Sequence, residues 1–158
     1  MKFKVMTTIF ALVLVAGFVA LALSLSPGAA SASSARNGDL HVTKECSKYT
    51  GAAGDYCTIT GSNLDAIAVG SKVYYDQAAG TPGGLLDSDV VLDAGNGNRA
   101  VGHCTLDLGN YFGLCTFSDG TGEFTGFSAR VVVAPAGWPN FDWDGTYRFT
   151  PKSERDDR

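Results

Sequence analysis

The stretch Phe141-Asp142-Trp143-Asp144-Gly145-Thr146-Tyr147-Arg148-Phe149 alternates along its whole length. Phe141, Trp143, Tyr147 and Phe149 take the odd positions, and Asp142, Asp144, Thr146 and Arg148 the even ones. A period of two is that of a β-strand, whose successive side chains point to opposite faces. The segment is therefore a strand with one aromatic and one polar face. The aromatic face is expected to point inward, because four large apolar side chains exposed on one strand would form an adhesive patch. Gly145 takes the remaining place on that face, where a missing side chain predicts a bulge or a close backbone approach.

Working back from this strand, turn residues punctuate the chain at short intervals. Gly80-Thr81-Pro82-Gly83-Gly84, Gly95-Asn96-Gly97-Asn98, Asn110-Tyr111-Phe112-Gly113 and Asp119-Gly120-Thr121-Gly122 all carry turn chemistry. The segments between them are β-like, and none holds a 3.6-residue apolar period long enough for a helix. Strands are expected near Asp39–Lys44, Tyr56–Thr60, Lys72–Gln77, Asp87–Ala94, Arg99–Leu108, Phe112–Ser118, Glu123–Ala134 and Phe141–Phe149. Short connections between neighbours imply an antiparallel meander, and closing it removes the edges that a sandwich must protect by other means. The expected fold is all-β: a closed antiparallel eight-stranded barrel over residues 39–150. A flexible lead-in of residues 33–38 precedes it, and a disordered charged tail of residues 151–158 follows.

The N-terminus has the three-part form of an export signal. Lys2 and Lys4 precede an apolar run from Ile9 to Leu25, Ser26-Pro27-Gly28 breaks it, and Ala30-Ser31-Ala32 offers a small-x-small cleavage site. Cleavage is expected after Ala32, making residues 1–32 a signal peptide; a second site follows Ala35. The competing reading is an uncleaved anchor, since about 17 apolar residues is the lower limit for a membrane span. Cleavage would reduce Lys+Arg from 12 to 10 against 16 Asp+Glu, a net charge of −6. That balance, with no basic cluster, argues against nucleic acid or an anionic membrane as partner.

All four cysteines, Cys46, Cys57, Cys104 and Cys115, follow the signal. An even number in an exported chain reads as disulfides rather than metal ligands. Four cysteines allow three connectivities. Cys46 and Cys57 enclose ten residues, as do Cys104 and Cys115. Ten residues hold the arms and turn of a hairpin, so the pairs Cys46–Cys57 and Cys104–Cys115 would join facing positions on neighbouring strands.

Two segments together carry a family resemblance. One runs from Gly102-His103-Cys104-Thr105-Leu106 to Cys115-Thr116-Phe117-Ser118-Asp119-Gly120-Thr121-Gly122-Glu123-Phe124-Thr125-Gly126-Phe127, and the other is Trp143-Asp144-Gly145-Thr146-Tyr147. The G-T-G-x-F-x-G core, an apolar strand and a final aromatic strand resemble the allene oxide cyclase and dirigent barrel superfamily. In detail they look most like its small secreted bacterial members. The resemblance implies an eight-stranded barrel with a partly apolar interior, working without a cofactor. Plant members cyclise a fatty-acid epoxide or steer the coupling of phenolic radicals. Plant cyclases use a Glu and a water-holding Asn early in the barrel. The corresponding stretch here, His41-Val42-Thr43-Lys44-Glu45-Cys46, has no Glu-x-Asn pair, and Asn63 falls in a turn. No catalytic residue carries over.

The remaining motifs are structural. Gly120–Gly126 is too long for G-x-G-x-x-G and precedes a strand, so it cannot cradle phosphate at a helix N-terminus. Asp142-Trp143-Asp144-Gly145 and Asp87-Ser88-Asp89 lack the distal Glu of a calcium loop. His41 and His103 have no sequence partners at metal-ligand spacing, so no metal is expected. Gly126-Phe127-Ser128-Ala129 fails as a nucleophile elbow at its last position. Tyr74, Tyr75, His103, Trp143 and Tyr147, with Arg148, form the candidate ligand site, since small-molecule sites are apolar cavities with a few polar groups. Three functions follow: a secreted barrel binding a small hydrophobic or aromatic molecule, a cofactor-independent cyclase or isomerase, or an extracellular interaction module with a filled barrel. A cavity separates the third from the others, and a buried ionisable group on its wall favours the second. Oligomeric state is left open by the sequence.

Overall fold

The computed structural model describes residues 37–80 and 83–150. Over them, alternation of buried and exposed residues builds eight strands in chain order. These are β1 (Asn37–Glu45), β2 (Tyr56–Ser62), β3 (Lys72–Tyr75), β4 (Leu85–Asp93), β5 (Arg99–Asp107), β6 (Gly113–Thr121), β7 (Phe127–Pro135) and β8 (Asn140–Phe149). Each pairs antiparallel with the next, and β8 returns to β1, so the sheet closes into a barrel. Closure leaves no unpaired edge between the first and last strands. The β1–β8 ladder runs without a break from Asn37↔Arg148 to Glu45↔Asn140.

The expected eight strands are all present. Asn37 and Gly38, read as part of a flexible lead-in, instead begin β1, where they pair with Arg148 and Tyr147. The expected signal segment 1–32, residues 33–36 and the tail 151–158 lie outside the described residues. The turn expected at Asp119–Gly122 comes later. β6 continues to Thr121, a 3-10 turn spans Gly122–Phe124, and β7 starts at Phe127 rather than Glu123. The reason is Phe124, which is fully buried against Phe127 at a centroid distance of 5.2 Å. Gly122 and Gly126 bracket it with φ of 60° and 78°, which lets the chain fold the ring back over the barrel end.

Much of the described interior is filled by buried apolar side chains. Leu40, Val42, Ile59, Val73, Val90 and Leu92 fill it with the rings of Phe117, Phe127 and Trp143. β8 presents Phe141 and Trp143 to this core while Asp144, Thr146 and Arg148 face out, as its alternation requires. Gly145 is a close approach without a bulge: a Cβ there would lie 2.0 Å from the Arg130 carbonyl oxygen, and the β7–β8 register is regular.

Both disulfides join the expected pairs, Cys46–Cys57 and Cys104–Cys115, with Cα–Cα distances of 4.3 and 4.1 Å. Cys104 and Cys115 are direct cross-strand partners in the β5–β6 ladder. Two bridges are the mark of an oxidising, extracellular-type compartment. Both lie at the same barrel end, where β1, β3, β5 and β7 finish and β2, β4, β6 and β8 begin.

Candidate functional site

That disulfide-stapled end is where the packing stops. A cavity of about 200 Å³ opens there, with Leu86, Leu106, Val133 and Phe141 on its wall and both disulfides beside them. It is smaller than the ~300 Å³ at which drug-sized sites begin. Tyr111 and Trp138, from the β5–β6 and β7–β8 connections, stand at its rim with ring centroids 6.3 Å apart. Trp138 is among the most exposed large apolar residues described, at 68%.

The wall carries one buried charge-bearing group. Leu40, Val42 and Lys44 of β1, and Cys46 just after it, take alternate, buried positions, so the strand's own periodicity turns Lys44 inward. The β1–β2 register shifts between Thr43 and Lys44, where Thr60 of β2 is the extra residue, so β1 keeps its own alternation. Lys44 is 3% exposed. Its Nζ donates to the Tyr75 hydroxyl at 2.6 Å and lies 4.6 Å from the centre of the Trp143 ring. Phe141 and Tyr75 place two more rings within 5.8 and 5.4 Å of it. Among the described residues, no carboxylate pairs with this amine, and none lines the cavity. Burial lowers its pKa from 10.5 to about 7.

Two tyrosines complete the polar set. Burial pushes the Tyr75 hydroxyl well above the usual range, with Tyr49 adding to the effect. Tyr49 packs on Tyr75 at a centroid distance of 5.0 Å and lines the same cavity. Its own pKa is raised by burial and then by Asp55. Asp55 is held in its carboxylate form by the Thr50 hydroxyl and by backbone amides of the turn. Among the described residues, the buried Tyr49 hydroxyl and Trp143 Nε1 find no hydrogen-bond partner. The cavity is thus apolar and contains hydrogen-bond donors around one amine, an arrangement suited to an acceptor group on a small ligand.

The five residues picked from sequence are not gathered at one site. Tyr75 lines the cavity, and Trp143 lies beneath it, fully buried under Lys44. Tyr74 follows the opposite parity to Tyr75; it lies half-buried on the outer face beside Tyr56, at 5.5 Å between centroids. His103 precedes the inward Cys104 and therefore points outward, between Asp87 and Asp89 at 2.6 and 2.9 Å. Tyr147 shares the parity of Trp143 but stands near the other end, against Gly38 and Phe149. Arg148 is outward, with its Nε donating to Ser128 Oγ. Asn63 is exposed and ties β1 to the end of β2, its side chain bonding the His41 amide and the Asp39 carbonyl.

Lys44 and Tyr49 are the site residues that sequence reasoning missed. A signal for Lys44 was present, since it sits in register with Leu40, Val42 and Cys46. Tyr49 lies in a loop and had none. The outer histidines do find partners across strands: His41 Nδ1 is 2.5 Å from Asp144, and hydrogen bonding to Asp89, then Asp87, raises the pKa of His103.

Fold and site together define a disulfide-stapled, eight-stranded antiparallel barrel with an apolar end cavity bearing a buried lysine. The chain matches no protein-family model, no curated protein and no solved structure.

Proposed function

We propose that this protein is an exported barrel that binds a small apolar or aromatic molecule in its end cavity. The observation that carries the reading is the combination of an apolar cavity with a buried amine and an unpartnered buried hydroxyl. Leaving polar groups unpaired in a low-dielectric interior costs stability, about 1–3 kcal/mol for a neutral hydroxyl. A ligand bearing an acceptor would recover part of that. The two disulfides support export, because such bridges persist in oxidising compartments. The sequence resemblance to allene oxide cyclase barrels points the same way. Eight strands in a meander agree with it and are equally the count of other small barrels.

One observation favours a second reading, a cofactor-independent cyclase or isomerase. Lys44 is a buried ionisable group on the cavity wall, with a pKa near 7 at which an amine both gives and takes protons.

The test is calorimetric titration of the purified protein with small aromatic and aliphatic compounds, alongside an Ala79→Trp variant. Ala79 is on the cavity wall, partly buried against the core, and is not one of the rings around Lys44. Saturable binding lost on plugging the cavity is the expected result. Binding that survives the plug would place the ligand elsewhere and reject the reading.

A further inference from the structure

The groups that face the cavity offer donors and a potential positive charge, and no wall side chain offers a negative one. Lys44 carries donors only; Tyr75 accepts the Lys44 bond, which leaves its own proton to give; Tyr49 has an unpartnered hydroxyl. Thr50 already donates its hydroxyl to Asp55. A neutral ligand would leave the amine without a counter-charge, and a cationic one would be repelled. We propose that the cavity is an acid-binding site: it takes a small aromatic or short-chain aliphatic monocarboxylate, whose carboxylate is received by Lys44 and Tyr49. This rests on the cavity being a ligand site, and names the class of ligand.

The surroundings of Lys44 fit that role. Three rings lie within 6 Å of Nζ, and π faces attract an ammonium without neutralising it. The charge is thus kept available for an incoming anion, whereas a carboxylate in their place would consume it. A charge-assisted hydrogen bond formed in a desolvated site is among the stronger polar contacts. Size selects further: a cavity of about 200 Å³ suits one ring or a short chain, not a long fatty acyl tail. A planar monoanion suits it better than a phosphate, whose second charge would meet no second cation on this wall.

The state of the amine makes the affinity depend on pH. Among the described residues, Tyr75, Tyr49 and Tyr111 share the cavity with Lys44, and Asp55 lies beyond Tyr49; Tyr75 and Tyr49 have raised pKa, and Asp55 stays ionised. Tyr75, Tyr49 and Asp55 keep their charge state between pH 6 and 9, which leaves the Lys44 amine to set the profile. Below about pH 7 the free protein carries the ammonium; above it, binding an anion must first draw a proton. The dissociation constant of an acid should therefore rise by up to about tenfold per pH unit above 7.

The experiment titrates three matched pairs at pH 6 and pH 9: benzoate and benzamide, cinnamate and cinnamyl alcohol, octanoate and octanol. At pH 6 the acid of at least one pair should bind at least tenfold more tightly than its neutral partner. At pH 9 the preference should shrink towards parity. Lys44→Met should abolish it while neutral compounds still bind, and the pH profile of the unaltered protein stands independently of that variant. Equal binding of acid and neutral partner at pH 6, or a preference that survives Lys44→Met, overturns the acid-binding inference and leaves the cavity reading intact. If neither partner of any pair binds, both fall.

Discussion

The Nζ of Lys44 lies 4.6 Å from the centre of the Trp143 ring, inside a barrel whose first and last strands pair without a break from Asn37↔Arg148 to Glu45↔Asn140. The ring is an apolar floor and also an electrostatic partner. It offsets only part of the cost of burying an amine that has no carboxylate beside it.

Lys44→Met should therefore stabilise the protein. The unfolded chain holds the Lys44 proton up to about pH 10.5, the folded one only up to about pH 7. Between these values the unfolded state binds more protons, so stability of the unaltered protein rises with pH in that window. Below pH 7 the full cost is present. Lys44→Met should raise stability by about 1–3 kcal/mol at pH 6, after the lost bond to Tyr75 is allowed for. The gain should narrow towards pH 10. Thermal melts across this range check it; a variant no more stable at pH 6 would mean that the amine is better accommodated than its contacts indicate.

Tyr74 and Tyr75 should separate cleanly. Tyr75→Phe removes the acceptor of the Lys44 bond and should cost about 1–2 kcal/mol in urea unfolding. Tyr74→Phe, on the outer face, should stay within about 0.5 kcal/mol. Tyr74→Ala and His103→Ala should leave ligand affinity unchanged. An effect of either on binding would put the site on the barrel's outer wall.

The Cys104→Ala/Cys115→Ala pair should fold and melt earlier. Releasing a loop of this length costs about 2–3 kcal/mol in the chain-entropy model. Because Cys104 and Cys115 line the cavity, the same variant should also bind ligand more weakly. Denaturation and titration of one preparation test both; unchanged affinity would show that the bridge does not hold the cavity wall.

Gly145→Ala should be among the worst single-methyl additions in the barrel. Its Cβ would lie 2.0 Å from the Arg130 carbonyl oxygen and 2.8 Å from the Val131 Cα, so paired backbone must move. A loss of about 1–3 kcal/mol or more is expected. Gly83→Ala, where nothing among the described residues lies within 4 Å, is the control and should be near neutral. Equal melting of the two would show that β7 and β8 separate easily.

Export should leave a defined N-terminus. Intact-mass analysis of protein from culture medium should give a chain starting at Ser33, or at Arg36 if the second site is used. Full-length chain in the membrane fraction would reject cleavage.

Strand positions and cysteine pairing were legible because they depend on local properties: residue period, turn residues and the length of a hairpin. The β6–β7 turn was misplaced because Gly120–Gly122 has the composition of a turn. What moved it was burial of Phe124, a long-range packing effect that no local pattern reports. The candidate site was read less well for a related reason. Residue type alone groups the aromatics, while a strand sends Tyr74 and Tyr75 to opposite faces and spaces Trp143 and Tyr147 about 13 Å apart.

The sequence by itself determined an all-β chain of eight strands, the inward aromatic face of the last one, and two hairpin disulfides. Each follows from alternation or from loop length over a few residues. Only the tertiary structure decided where the apolar cavity opens and what surrounds Lys44. A lone lysine in a strand ordinarily faces water. Here barrel closure pairs β1 with β8 and carries Trp143 to the amine, while β3 brings Tyr75 across the interior. Three strands distant in sequence thus enclose one charge, and its changed acidity comes from that enclosure, not from any neighbour along the chain.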